Sequence, residues 1–127
     1  MKTEYIFLSL LLISVVLSAC NWFENDISGI YKGTVVTGYG DRAATLELEK
    51  LQKKEVSVYL FVTTPYCVGE FRGKGLLKDK VITATDRDED NICTVTLTLN
   101  GKKIQTAEQN CMYWHGFQCS FEGKFSK

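Results

Sequence analysis

The sequence has no excess of charge of either sign, because 15 lysine and arginine residues balance 15 aspartate and glutamate residues. A protein that binds nucleic acid normally carries a basic surplus, so we expect no nucleic-acid partner. The chain also lacks a Gly-x-Ser-x-Gly motif, a zinc-binding histidine pair and a phosphate-binding glycine loop. These absences predict that the protein is not an enzyme, although sequence spacing leaves a hydrolytic carboxylate pair open.

Metal ligands at a recognisable spacing are missing too. No Cys-x-x-Cys pair occurs and His115 is the single histidine, so we expect no zinc site. Segment 86–91 alternates aspartates as a calcium loop does, but its sixth position is Asn91 rather than Gly, and the twelfth is Leu97 rather than Glu. We therefore predict no metal and no cofactor, and a solvated acidic loop that could meet a basic partner.

The N-terminal residues have the layout of an export signal. Lys2 precedes an apolar run from Tyr5 to Val16, which leads into the small residues of Leu17-Ser18-Ala19-Cys20. These four residues resemble the bacterial lipobox. The alternatives are an ordinary secretory signal or a transmembrane helix, for which about fifteen residues are short of the roughly 20 that a bilayer requires.

The lipoprotein resemblance implies a lipid-anchored protein. Residues 1–19 would be a signal peptide removed before Cys20, whose sulfur receives diacylglycerol and whose new amino group is acylated, with palmitate among the expected fatty acids. Residues 20–26 would be the lipidated cysteine and a tether to a domain over 27–127. Because Asn21 stands where an inner-membrane retention Asp would be, the resemblance implies the outer membrane, on its periplasmic face or at the cell surface.

Four further cysteines indicate two disulfides, as is common in small exported domains. Three connectivities are possible. On sequence proximity we favour Cys67–Cys93 and Cys111–Cys119.

Short segments with period-two alternation predict an all-β fold. In Cys93–Leu99, for example, apolar residues alternate with threonine, which gives one buried and one wet face. Eight such segments favour a single antiparallel meander, most simply a small eight-stranded barrel, with a two-sheet β-sandwich as the alternative. The predicted strands are Ile27–Thr37, Ala43–Leu51, Glu55–Val62, Glu70–Leu77, Val81–Asp86, Ile92–Leu99, Lys103–Glu108 and Ser120–Ser126.

The links predict two different ends. Links two, four and six are tight and lysine-rich, and Asn100-Gly101 suggests a type I′ turn, whereas links 38–42, 63–69, 87–91 and 109–119 are longer and acidic. Polar turns alone would produce part of this pattern. Since the first strand starts at the hairpin end, we expect that end to face anionic lipid. The lysines are Lys53, Lys54, Lys78, Lys80, Lys102 and Lys103, and the acids are Asp41, Asp86, Asp88, Glu89, Asp90 and Glu108.

The segment Cys111–Cys119 is the candidate binding site, because it concentrates Tyr113, Trp114, His115 and Phe117 in one cysteine-flanked loop. Ordered aromatic side chains often dominate binding energies. The alternative is that Trp114 and Phe117 fold inward and close the barrel mouth.

Three functions remain open at this point. The first is a protein-binding module or inhibitor; the chain is similar to small lipid-anchored barrel lysozyme inhibitors in architecture only, and an immunity protein against an exported toxin fits equally well. The second is a carrier of a small apolar ligand in a barrel cavity. The third is a structural envelope lipoprotein, since fold does not imply function.

Overall fold

The computed structural model describes residues 27–127, so the predicted signal peptide, Cys20 and the tether lie outside the described residues. The described chain forms a closed antiparallel barrel in which each strand pairs with its sequence neighbours and the last pairs with the first. The barrel prediction is confirmed and the sandwich alternative is wrong. The elements are β1 (Gly29–Thr37), β2 (Gly40–Gln52), β3 (Glu55–Thr64), β4 (Cys67–Lys78), β5 (Val81–Asp88), β6 (Asn91–Asn100), β7 (Lys103–Gln109), α1 (Met112–His115) and β8 (Gly123–Ser126).

Period-two alternation places one face of every strand in the barrel interior. In β3 the side chains of Val56, Val58, Leu60 and Val62 are all fully buried. The threonines between the apolar residues of β6 are half-buried or exposed. Burial of one strand face is the main source of stability in a sheet of this kind.

Large side chains occupy the interior. Tyr31, Phe71 and Phe121 are the largest of the fully buried residues. The Tyr31 hydroxyl donates a hydrogen bond to the Ile27 carbonyl (2.8 Å) near the start of β1. The rings of Phe71 and Phe121 meet edge to face at 6.0 Å. The interior is therefore a packed core in which aromatic residues contribute much of the buried surface.

Three of the four links that we expected to be long are two-residue turns. The β1–β2, β3–β4 and β5–β6 ladders continue to Thr37↔Gly40, Thr64↔Cys67 and Asp88↔Asn91. Polar residues at strand ends face solvent, so alternation of hydrophobicity does not reveal them as strand. Only the seventh link, residues 110–122, is long.

The turn between β6 and β7 also differs from the prediction. Its central residues are Gly101 and Lys102, because Asn100 pairs with Lys103. Only Gly101 has a positive φ, at 62°, whereas a type I′ turn needs positive φ at both central positions. This is the pattern of a type II′ turn, which favours glycine first.

Strands β4 and β5 separate halfway along their length. Their ladder runs from Lys78↔Val81 to Lys74↔Thr85 and then stops. Beyond it, residues 67–73 of β4 pair only with β3, and residues 86–88 of β5 pair only with β6. Among residues 27–127, no helix is long and apolar enough to cross a membrane.

Candidate functional site

Residues 110–122, the seventh link, form a plug across one end of the barrel. We call this end the mouth and the opposite end, with links two, four and six, the hairpin end. After α1 the plug turns toward β1, where the Gly38 amide donates to the Gln118 carbonyl (2.9 Å) and the Val36 amide donates to the Glu122 carbonyl (2.8 Å). The Ser120 hydroxyl donates to the Val36 carbonyl (2.5 Å). The plug is thus hydrogen-bonded to the barrel wall along its second half.

Two disulfides attach the plug to two different strands of the wall. Cys111 is bonded to Cys93 on β6, and Cys119 is bonded to Cys67 on β4. We call these the β6 disulfide and the β4 disulfide. The prediction that the four cysteines form two disulfides is confirmed, but the favoured pairing, Cys67–Cys93 and Cys111–Cys119, is wrong.

The topology explains the error in the pairing. Strand β5 lies between β4 and β6, which puts two strand spacings, about 10 Å, between Cys67 and Cys93. A disulfide tolerates a Cα separation of only about 7 Å. Sequence proximity was a poor guide for Cys111 and Cys119, because the chain between them crosses the mouth.

His115 points from α1 into the barrel. Its side chain is 5% exposed, and its ring meets the Phe121 ring edge to face at 4.9 Å. Gly69 of β4 provides the space, since a Cβ atom on Gly69 would lie 2.6 Å from the His115 Cβ. We predicted His115 as a partner-binding residue, and the structure places its side chain beneath the surface of the plug.

Both ring nitrogens of His115 face oxygen atoms. Nε2 lies 2.9 Å from both carboxylate oxygens of Glu108, and Nδ1 lies 2.6 Å from the Gly116 carbonyl oxygen. A ring that donates from both nitrogens carries a positive charge. Burial lowers the His115 pKa, but the hydrogen bonds to Glu108 and Gly116, together with the Glu108 charge, outweigh it and leave the pKa raised above its usual 6.5.

Glu108 joins the two halves of the plug. Besides binding His115, its carboxylate accepts a hydrogen bond from the Phe121 amide (2.8 Å). Its side chain is 19% exposed. One partly buried carboxylate on β7 therefore fixes α1 and the segment that leads into β8.

Asp86 holds α1 of the plug against the wall where β4 and β5 separate. Its Oδ2 accepts hydrogen bonds from the Trp114 indole nitrogen (3.0 Å) and from the Arg72 amide (3.2 Å). The Arg72 amide belongs to the β4 edge that no longer pairs with β5. The half-buried Trp114 is thus held against the opening between the two strands, and only part of its ring remains available to a partner.

The outer surface of the plug is apolar and aromatic. Tyr113 and Phe117 are each 81% exposed, and Met112 is 57% exposed. Phe117 therefore does not fold inward, contrary to the alternative that we considered for it. Met112 and Tyr113 line a groove of about 430 Å³ with Asp90, Asn91, Ile92 and Asn110.

The neighbouring turns extend this exposed surface. Tyr39 of the first link and Tyr66 of the third have ring centroids 5.1 Å apart. They are 51% and 67% exposed, and Val68 beside them is 69% exposed. Large apolar side chains concentrated at one end of a small protein are typical of an interaction surface.

Within residues 27–127, no group of three or more His, Cys, Asp or Glu side chains is placed to hold a metal ion. The acids of segment 86–91 are divided, because Asp86 is bound to Trp114 and Arg72 while Asp88, Glu89 and Asp90 are exposed.

No family model, curated protein or solved structure matches this chain.

Two side chains of the wall that hold the plug in place were absent from the predicted site. Glu108 and Asp86 were interpreted only as members of an acidic end, yet both lie at inward positions of their strands. Glu108 continues the inward series Ile104 and Thr106 of β7, and Asp86 continues the inward series of β5. The sequence signal for such a residue is an acidic side chain at the last inward position of a strand.

Proposed function

We propose that this protein is a lipid-anchored envelope protein whose barrel mouth binds another protein, with inhibition of that protein as the consequence. The observation that carries the proposal is the exposure of Tyr113 and Phe117 on a plug that two disulfides fix to the wall. Anchored segments lose little conformational entropy on binding. Aromatic side chains supply large contact areas, and they are frequent among residues that dominate interfaces.

Each predicted site residue has a place in this proposal. Tyr113 and Phe117 contact the partner directly, with Tyr39 and Tyr66 beside them. Trp114 contributes its exposed part and otherwise keeps α1 in position through Asp86. His115 acts from below as a positioning residue through Glu108.

The packed interior gives no support to carriage of a small ligand, because Tyr31, Phe71 and Phe121 fill the space that such a ligand would need. A purely structural role leaves the exposure of Tyr113 and Phe117 unexplained.

The partner-binding test compares two double variants. Soluble protein beginning at Asn21 is immobilised, exposed to envelope fractions and cross-linked. Tyr113→Ala/Phe117→Ala should lose a partner that the unaltered protein retains. The matched control, Tyr59→Ala/Phe61→Ala, removes one tyrosine and one phenylalanine from the outer wall of β3, outside the mouth, and should retain it. Equal capture by both variants would refute binding through the mouth.

Inhibition has its own test. A captured enzyme, together with a panel of lysozymes and exported toxins, is assayed with excess protein. Suppression that disappears in Tyr113→Ala/Phe117→Ala supports inhibition, and unchanged activity throughout argues against it.

The anchor is tested separately. Full-length protein produced with an alkyne fatty acid should be labelled and recovered with outer membranes. Cys20→Ser should lose the label. Equal labelling of Cys20→Ser and of the unaltered protein would refute the anchor.

A further inference from the structure

The hairpin end concentrates lysines that neither the core nor the mouth uses. Links two, four and six and the strand ends beside them bring six exposed lysines to this end, and we call them the lysine face. Among residues 27–127, four carboxylate side chains lie nearby, which leaves a positive surplus. The lysine face is Lys53, Lys54, Lys78, Lys80, Lys102 and Lys103, and the nearby acids are Glu47, Glu49, Glu55 and Asp79.

Exposed apolar side chains accompany the lysine face. Ile30 at the start of β1 is 56% exposed, Leu76 near the end of β4 is 65% exposed, and Leu51 near the end of β2 is 39% exposed. Basic residues mixed with a few apolar side chains are characteristic of surfaces that rest on the interface of a bilayer.

A basic groove continues from the lysine face along the outer wall. It encloses about 500 Å³ where β7, β8 and β1 meet, and Lys32, Lys103 and Lys124 line it. Asn100 and Ser126 add neutral hydrogen-bonding groups, and no carboxylate of the described residues lines it. Such a groove offers an anionic head group both charge and hydrogen bonds.

The chain upstream of the barrel leaves from the same end. Ile27 lies beside the start of β1, where its carbonyl accepts the Tyr31 hydroxyl. Six residues separate Ile27 from Cys20, and six extended residues span about 20 Å. The chain that precedes Ile27 therefore joins the barrel at the hairpin end.

We propose that the hairpin end is a docking surface for an anionic phospholipid bilayer. The lysine face lies over the head-group phosphates, Ile30, Leu51 and Leu76 enter the interface, and the basic groove accepts a head group. The mouth then points away from the membrane. This attachment requires neither lipidation of Cys20 nor a protein partner, so its test is independent of the test of the proposed function.

The experiment measures vesicle binding by protein that has no lipid anchor. All eight strands and both disulfides lie within residues 27–127, so protein beginning at Asn21 contains the whole barrel. Cosedimentation is measured with vesicles of equal parts phosphatidylglycerol and phosphatidylcholine, and with phosphatidylcholine alone. We expect binding only to the anionic vesicles, weakening as salt shortens the screening length from about 10 Å at 0.1 M to about 3 Å at 1 M. Equal binding to both vesicles, or binding to neither, would overturn the proposal.

Matched charge variants locate the surface. Lys54→Gln/Lys102→Gln removes two charges from the lysine face at positions without positive φ. At about fivefold per lysine, its vesicle affinity should fall about 25-fold. Arg42→Gln/Arg87→Gln removes the same charge at the mouth and should stay within about twofold of unaltered protein, since charges beyond a screening length contribute little. Equal losses in the two variants would show that net charge alone attracts the protein, and would contradict a docking surface.

Discussion

The buried pair of Glu108 and His115 makes a sharp prediction about pH. Because the hydrogen bonds and charge of Glu108 raise the His115 pKa in the folded protein, the protonated ring stabilises the fold fully below its unfolded pKa of about 6.5. That stabilisation declines as pH rises through the folded pKa and is absent above it. Glu108→Gln removes the charge, so burial then dominates and the folded pKa of His115 falls below the unfolded value. The contribution of His115 should then reverse, being present above about pH 6.5 and lost as pH falls.

The size of the effect follows from the geometry. The two groups are 2.9 Å apart, and their side chains are 5% and 19% exposed, so solvent screens the interaction little. Hydrogen bonds to charged groups contribute about 1.5–3 kcal/mol, and desolvation of both groups offsets part of this. We therefore expect Glu108→Gln to lower the free energy of unfolding by about 1–2 kcal/mol at pH 5.5, and by clearly less at pH 9.

Two measurements check this prediction. Urea unfolding of both proteins across this pH range gives the difference in free energy, and an NMR titration follows the ring protons of His115, which is the sole histidine of the chain. Glu122→Gln is a suitable control, because Glu122 is an exposed acid of the plug. A His115 pKa at or below 6.5 in the unaltered protein, or parallel pH profiles for it and Glu108→Gln, would refute the reasoning.

Three further predictions concern the plug. Gly69→Ala should destabilise the fold by about 1–3 kcal/mol, because the new methyl group would lie 2.6 Å from a plug side chain; an unchanged melting temperature would contradict this contact. Trp114→Phe removes one of the two donors to Asp86 and should lower the free energy of unfolding by about 1.5–3 kcal/mol. If the same substitution costs as much in an Asp86→Asn background as in the unaltered protein, the hydrogen bond to the Asp86 charge is contradicted. Replacing both cysteines of the β4 disulfide, which spans 52 residues, should cost about 4 kcal/mol, and replacing those of the β6 disulfide, which spans 18, about 3 kcal/mol; the opposite order in urea unfolding would contradict the loop-entropy reasoning.

The barrel was predictable because the alternation of apolar and polar residues marks the inward face of its strands. Val56, Val58, Leu60 and Val62 can satisfy burial only in one register, since a shift by one residue would expose all four. Short turns then forced sequence neighbours to pair. Strand number alone left the two-sheet sandwich open, whereas closure joins β1 to β8 and removes both free edges.

The details of the mouth were less predictable, for two physical reasons. Strand ends such as Gly40-Asp41 and Arg87-Asp88 are exposed at successive positions, so their sequence carries no alternation even though the backbone ladder continues. The disulfide partners of Cys111 and Cys119 depend on where the plug crosses the mouth. That path is determined by tertiary contacts of Glu108 and Asp86, which the local pattern does not contain.

The attachment of the plug at both ends has a consequence for proteolysis. The exposed Tyr113 and Phe117 are natural targets for a chymotrypsin-like protease, and a cut between them separates β8 from the rest of the chain. Because the β4 disulfide lies on the C-terminal side of the cut, both fragments remain covalently joined. A nicked molecule would therefore run as one species without reductant and as two with it, and would keep β8 in the barrel wall.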